Sequence, residues 1–177
     1  FIYEIPNLLK TDKNPNPTAS MVPNGYLLLF GPEHAEEQYK ALENHKACEA
    51  GTKNIKGSEL SKFFPYINSE GIETATFTDN KSEGWIDPFM FHSALKSKAT
   101  ELGAEFTKGE VKSLTEIKAK TIISAAGCWT KELLEDIPVE PQKHTVFRVK
   151  CPKHIPEMPL TGDLTTGVYW RPEGKEY

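Results

Sequence analysis

Cysteine is scarce in this chain. Its 177 residues hold three, Cys48, Cys128 and Cys151, an odd number, far apart and without a CxxC pair. That argues against a disulfide framework or a zinc knuckle, and a reducing intracellular compartment is the expectation. Long apolar runs are lacking as well. The longest, Tyr26 to Phe30, is strand-sized, where a bilayer span needs about 18–20 residues. Clustered basic charge is also missing. With 21 basic and 25 acidic residues the net charge is −4, which speaks against a phosphate-binding nucleic-acid surface. The histidines His34, His45, His92, His144 and His154 are scattered without metal-ligand spacing, so no metal site is expected. Finally, no GxGxxG fingerprint for a dinucleotide pyrophosphate occurs.

Both ends read as cuts. The chain begins at Phe1 without an initiator Met or leader, and it stops at Tyr177 just beyond the turn-like Pro172-Glu173-Gly174. An internal piece of a longer protein is therefore expected. Such a piece, on its own, is expected to be inactive, poorly stable and weak in ligand binding.

What is present is a globular composition. Hydrophobic residues make up 38 %, enough to build a core. Residues 11–20 carry Pro15 and Pro17 among polar neighbours and read as a loop. Asn24-Gly25 leads into a buried strand, YLLLF. Pro32 then opens a helix over 33–50, with Ala35, Tyr39, Leu42 and Lys46 on one face and Gly51 as its stop. A short helix is predicted from Ser58, with Leu60, Phe63 and Phe64 facing inward. Residues 73–78 (ETATFT) predict a strand, Asp79 to Ser82 a turn, and Gly84-Trp85-Ile86 a returning strand. Asp87 to Gly103 is the clearest helix: Asp87 caps, Pro88 fits the first turn, and Gly103 closes it. Its predicted apolar side is Phe91, Ala94, Leu95, Ala99 and Leu102, with Lys98 among them. Short strands are then predicted at Ala104–Phe106, Gly109–Leu114 and Lys120–Ala125, a short helix at Trp129–Glu135, an extended Pro138–Lys150, and a last strand at Gly167–Arg171. This order predicts a mixed α/β fold, one chain weaving between two layers.

Lys120 to Leu133 (KTIISAAGCWTKEL) is the most informative stretch. An apolar strand ending in small residues and Gly127 lets backbone approach a ligand, and a following helix start would favour a phosphate. Tight strand-to-helix packing without any ligand is the alternative. Cys128 at that helix start is either a reactive thiol or a residue crowded by a ligand. Asp87 reads as a cap rather than an acid or base, and Trp85 as core rather than a stacking platform.

TIISAAGCWTKEL resembles the second flavin-contacting motif of the D-amino-acid oxidase and sarcosine oxidase superfamily of FAD-dependent oxidoreductases. GWIDP (84–88), LGAEF (102–106), GEV (109–111), PVEPQKH (138–144) and TGVYWRPEG (166–174) follow that family's order, and NGYLLLF (24–30) and FFPYINSEG (63–71) are similar to a mitochondrial branch of it linked to respiratory complex I assembly. Cys128 stands where the pattern has Ala, Thr130 where it has Ser and His144 where it has Arg, and the Val111-to-Thr121 connection is short. The resemblance implies part of an FAD-binding Rossmann-like layer interlocked with a mostly antiparallel substrate-domain sheet. It divides the chain into a connecting segment (1–19), substrate domain (20–86), returning FAD-binding part (87–135) and substrate domain again (136–177). It also implies FAD as cofactor: Val111 backbone on the adenine, Ala125, Ala126 and Gly127 along the adenosine–pyrophosphate region, and Trp129 packed nearby. Tyr169, Trp170 or Arg171 would face a substrate, and Arg171 is either a fork for a carboxylate or a solvated strand charge. The activity implied is oxidation of a secondary amine or amino acid in the mitochondrion; the alternative is an assembly factor acting through complex I subunits.

Overall fold

The computed structural model describes residues 1–78, 81–153, 155 and 157–173. Asp79 and Asn80 of the expected turn, His154 and Gly174 lie outside them. The described chain divides into two compact units, Phe1–Leu102 with the segment from Val149 onward, and Gly103–Arg148.

The first unit is built on a five-stranded sheet: β1 (Tyr26–Phe30), β2 (Thr52–Lys56), β3 (Thr74–Thr78), β4 (Leu160–Asp163) and β5 (Val168–Trp170). The spatial order is β2-β3-β1-β4-β5. Only the β1–β4 pair is parallel; the other three are antiparallel. Side chains alternate across a strand, and the register sorts them into two faces. Leu27, Leu29, Ile55 and Ala75 share one face, where they are buried together with Leu60 and Phe64. Phe77 meets Phe64 edge-on, with ring centroids 5.2 Å apart, and Trp170 packs against the same cluster.

The opposite face is polar yet buried. Thr74, Thr76 and Thr78 are all enclosed. Thr74 Oγ1 donates to Asn54 Oδ1 at 2.6 Å, and Gln38 Nε2 donates to the same oxygen at 3.1 Å. Gln38 lies on α2 (Ala35–Ala47), whose buried residues are Ala35, Gln38 and Leu42. That corrects the expected face: Tyr39 and Lys46 point to solvent, because the helix turns a polar glutamine toward the threonine stripe.

A second cluster joins α1 (Ile5–Leu8) to α4 (Pro88–Glu101) through Ile5, Leu9, Ala19 and Ala94. The cap of α4 forms as predicted. Asp87 accepts from the amides of Phe89 (2.9 Å) and Met90 (3.0 Å), with Pro88 in the first turn. Gly103, at φ +95°, follows the last turn in the left-handed conformation that glycine adopts without strain. Leu95 and Leu102 are exposed instead of buried.

Several expected elements differ. Residues 1–10 hold a short helix rather than a connection, and β2 and β4 were not expected. The helix α3 spans only Leu60–Phe63, after a 3-10 turn at Gly57–Glu59, and Phe63 is 63 % exposed while Leu60 and Phe64 turn inward. Gly84-Trp85-Ile86 makes a single bridge, Trp85 to Val22, in place of a strand.

The largest difference concerns the second unit. None of the three expected strands at 104–106, 109–114 and 120–125 forms a ladder among the described residues. A strand exists only when a neighbour satisfies its backbone, and no described segment pairs with Lys120–Ala125. Ile123 is accordingly 87 % exposed. The segment 138–150 likewise forms no β-ladder among the described residues, with Val146, Phe147 and Val149 exposed. Regular structure in this unit is limited to 3-10 turns at Leu114–Glu116 and Gly127–Trp129 and to α5 (Thr130–Leu133).

Gly57 is a sharp test of this packing. A Cβ there would lie 1.8 Å from the Ile72 carbonyl oxygen, while one on Gly109 would meet nothing within 4 Å. Gly57→Ala is expected to lower unfolding free energy by about 1–3 kcal/mol, and Gly109→Ala to stay within about 0.5 kcal/mol, both read from urea denaturation midpoints.

Candidate functional site

In the second unit, the turn that ends TIISAAG sits over a groove of about 360 Å³. Val111, Ala125, Ala126 and Trp129 all border it, so four of the five residues expected at a cofactor converge there. Gly127 is next along the chain, at φ +58°. A Cβ on Gly127 would meet nothing within 4 Å. Its glycine is therefore required by backbone conformation, not by crowding.

The remaining lining is apolar at Leu114, Ile117, Ile122, Ile123 and Leu133 and carries two carboxylates, Glu110 and Glu132. None of these was singled out from the sequence. The Leu114 and Ile117 spacing of three was the available signal, because it places both on one side of a tight turn. Ser124 also borders the groove, and its Oγ is enclosed without a hydrogen-bond partner. Trp129 is 65 % exposed and borders a second groove of about 400 Å³, which Cys128, Lys131 and Glu140 also line.

The expected helix start is small. A 3-10 turn and four α-helical residues follow Gly127, too little aligned peptide for a strong N-terminal dipole. Small residues, apolar side chains and two carboxylates, rather than helix charge, define this groove. Cys128 is half-buried and, like Cys48 and Cys151, a free thiol. Among the described residues no group of His, Cys, Asp and Glu is placed to hold a metal ion, and no helix is long and apolar enough to cross a membrane.

In the first unit, β5 separates the three residues expected at a substrate. Trp170 packs on the core beneath the sheet. Tyr169, on the other face by alternation, is 60 % exposed. Arg171 lies over the Trp85 ring, 5.7 Å from its centroid, and its guanidinium pairs with Glu173 Oε2 at 2.8 Å. Trp85 thus stacks on a cation. Tyr169 and Arg171 are accessible to a ligand; the Trp170 ring is a core anchor.

The turn between β4 and β5 is held by Asp163. Burial works against its charge, but Thr166 Oγ1 and the amides of Thr165 and Thr166 donate to the carboxylate, and the net effect lowers its pKa below the usual value. Thr165 Oγ1 in turn accepts from the Gly31 amide at 2.9 Å, fastening this turn to the end of β1. Burial pushes the Tyr66 phenol up to about 12. At neutral pH it is a hydrogen-bond donor and not a base.

These features describe an α/β protein with a mixed, mostly antiparallel sheet and a ligand-sized, mostly apolar groove at a glycine turn. The sequence model of the FAD dependent oxidoreductase family matches residues 6–177, and the chain belongs to that family. FAD is the cofactor of the family. The chain is 26 % identical to bovine FAD-dependent oxidoreductase domain-containing protein 1 over 98 % of its own length and 46 % of the relative's. The Xenopus laevis counterpart is 28 % identical over 86 % and 40 %. Human mitochondrial dimethylglycine dehydrogenase is 27 % identical over 79 % and 17 %. The fold is also that of L-proline dehydrogenase from P.horikoshii, with a TM-score of 0.64 at 19 % identity over 89 % of this chain and 48 % of that one. The chain thus spans about half the length of the first relatives it matches. The bovine match runs over 223 positions against 177 residues here, so at least 46 positions within that span have no counterpart in this chain.

Two outcomes follow for the first unit. Trp170→Ala is expected to destabilise by about 2–4 kcal/mol, and Tyr169→Ala to stay within about 0.5 kcal/mol, read by denaturant titration. The lowered Asp163 pKa contributes stability that is present above the ordinary aspartate pKa and lost as pH falls through the folded value. Asp163→Asn is expected to flatten the acid limb of a stability-versus-pH curve; an unchanged limb would contradict the role of this turn.

Proposed function

We propose that the second unit carries the adenosine end of an FAD site in an oxidoreductase acting on a secondary amine or amino acid. The observation that carries this reading is the convergence of Val111, Ala125, Ala126 and Trp129 on one groove. The groove fits that part of the cofactor chemically. Its apolar side chains suit a flat purine, its small residues leave room for ribose, its two carboxylates, Glu110 and Glu132, offer acceptors for ribose hydroxyls, and one enclosed hydroxyl lacks a partner. In this reading the Val111 backbone meets the adenine edge, Ala125 to Gly127 line the ribose and pyrophosphate, and Trp129 packs at the rim.

When bound, FAD supplies the two-electron acceptor; the protein's part is to hold and orient. Tyr169 and Arg171, at the end of β5, are the proposed substrate-facing pair. The Arg171 fork suits a carboxylate, with Glu173 as the anion to be displaced. Dimethylglycine dehydrogenase, named for an N-methylated amino acid, supports an amine that also bears a carboxylate, and its mitochondrial setting supports the same compartment here. Residues 87–135 then belong to the cofactor-binding part, and 20–86 with 136–177 to the substrate part. Action through complex I subunits is favoured by no surface described above.

The reading is tested by anaerobic mixing of the FAD-loaded full-length protein with N-methyl amino acids and with matched amines lacking the carboxylate. Bleaching of the visible flavin band by the first set is expected. Arg171→Met should raise the half-saturating concentration about ten-fold or more, the loss of a charged hydrogen-bonded pair. Bleaching by neither set, or equal response to both, would contradict it.

A further inference from the structure

Ser124 is the one hydroxyl between Ile122 and Gly127, in a stretch that is otherwise apolar or small. It borders the groove, and its Oγ is shut from solvent without a hydrogen-bond partner. A buried hydroxyl is almost always paired, so an orphan calls for a cause. Among the other lining side chains, Val111, Leu114, Ile117 and Ile122 carry no donor or acceptor, and the polar ones, Glu110, Trp129 and Glu132, make no hydrogen bond to it. The protein's own groups leave it unsatisfied. A serine hydroxyl, however, swings about a single bond and both donates and accepts. A polar group lying in the groove is then the partner that this position lacks.

Among the described residues two other enclosed polar side-chain atoms lack partners, Gln38 Oε1 and His45 Nδ1. Both belong to α2, and neither borders either groove. Of the three, only Ser124 is a residue that lines a ligand-sized groove.

We infer that Ser124 is a cofactor-binding residue, its Oγ hydrogen-bonding the adenosine end of FAD through a ring nitrogen or a ribose hydroxyl. The inference rests on the proposed adenosine groove and adds to it the polar contact that fixes the heterocycle's orientation between apolar walls. It also sets the ligand class. Molecules that carry adenosine gain this bond, and flavins that lack adenosine do not.

The test is a titration of the protein and its Ser124→Ala variant with FAD, with ADP and with FMN, followed by amide NMR shifts, alongside melting temperatures of both proteins without ligand. FAD and ADP are expected to shift the Val111 and Ala125 amides and FMN to leave them in place. Ser124→Ala is expected to weaken FAD and ADP alike by about three- to ten-fold, as for one lost hydrogen bond. Its ligand-free melting temperature should stay equal or rise, because an unsatisfied hydroxyl has been removed. Unchanged affinities in the variant, with FAD and ADP still bound by the unaltered protein, would overturn the Ser124 contact and leave the groove standing. A ligand-free melting temperature lowered by several degrees would overturn it too, since the hydroxyl would then be structural. Failure of the unaltered protein to bind FAD or ADP, or FMN binding as well as ADP, would remove the groove reading and this contact with it.

Discussion

The pairing of β1 with β4 is the constraint on which the first unit depends. β1 is the central strand, and it reaches one half of the sheet through β3 and the other through β4. The β4 side is remote in sequence: the Gly31–Thr165 bond spans 134 residues. Closing so long a loop carries an entropic cost that local contacts do not repay. The return comes from Leu27 and Leu29, fully enclosed in the core under the sheet, and from Trp170, which brings β5 onto the same cluster. Asp163 shapes the turn between β4 and β5, and Thr165 ties that turn to the end of β1. Loss of this pairing would release the edge that presents Tyr169 and Arg171.

The second unit is organised differently. It is an excursion of the chain between α4 and β4, and its described residues make no β-ladder. Its groove is framed by turns and short helical pieces, with Ile123 and Trp129 largely open to solvent. Apolar surface of that kind is costly without a cover. A planar heterocycle among Leu114, Ile117 and Ile122 would remove part of that surface from water, so ligand binding and local stability are coupled through linkage.

What was legible in the sequence followed local chemistry. Asp87, Pro88 and Gly103 marked α4 because capping, ring constraint and left-handed backbone act within one turn. YLLLF and TATFT declared their strands through side-chain type. The sheet order was not legible, since β4 (LTGD) carries almost no strand signal and is recruited by β1 from a distance. β2 (TKNIK) was missed for the same reason. TIISAAG shows the opposite failure: strong strand composition, but no described neighbour to pair with. The position of Arg171 over Trp85 was invisible for want of any spacing rule linking residues 85 and 171. The groove was legible through the glycine turn and Trp129. Of its Leu114–Ile117 wall, Leu114 reads as a strand end and Ile117 as part of a connection, and Ser124 reads as one small residue among several.

The central claim is that the adenosine end of FAD lies in the groove under the Ala125-Ala126-Gly127 turn. Photolabelling with an azido-adenine analogue of FAD, followed by mass mapping of the modified peptides, addresses it directly. The account predicts label within Glu110 to Leu133, suppressed by excess FAD. Label confined to peptides of the five-stranded sheet, or label within Glu110 to Leu133 that excess FAD does not displace, would contradict it.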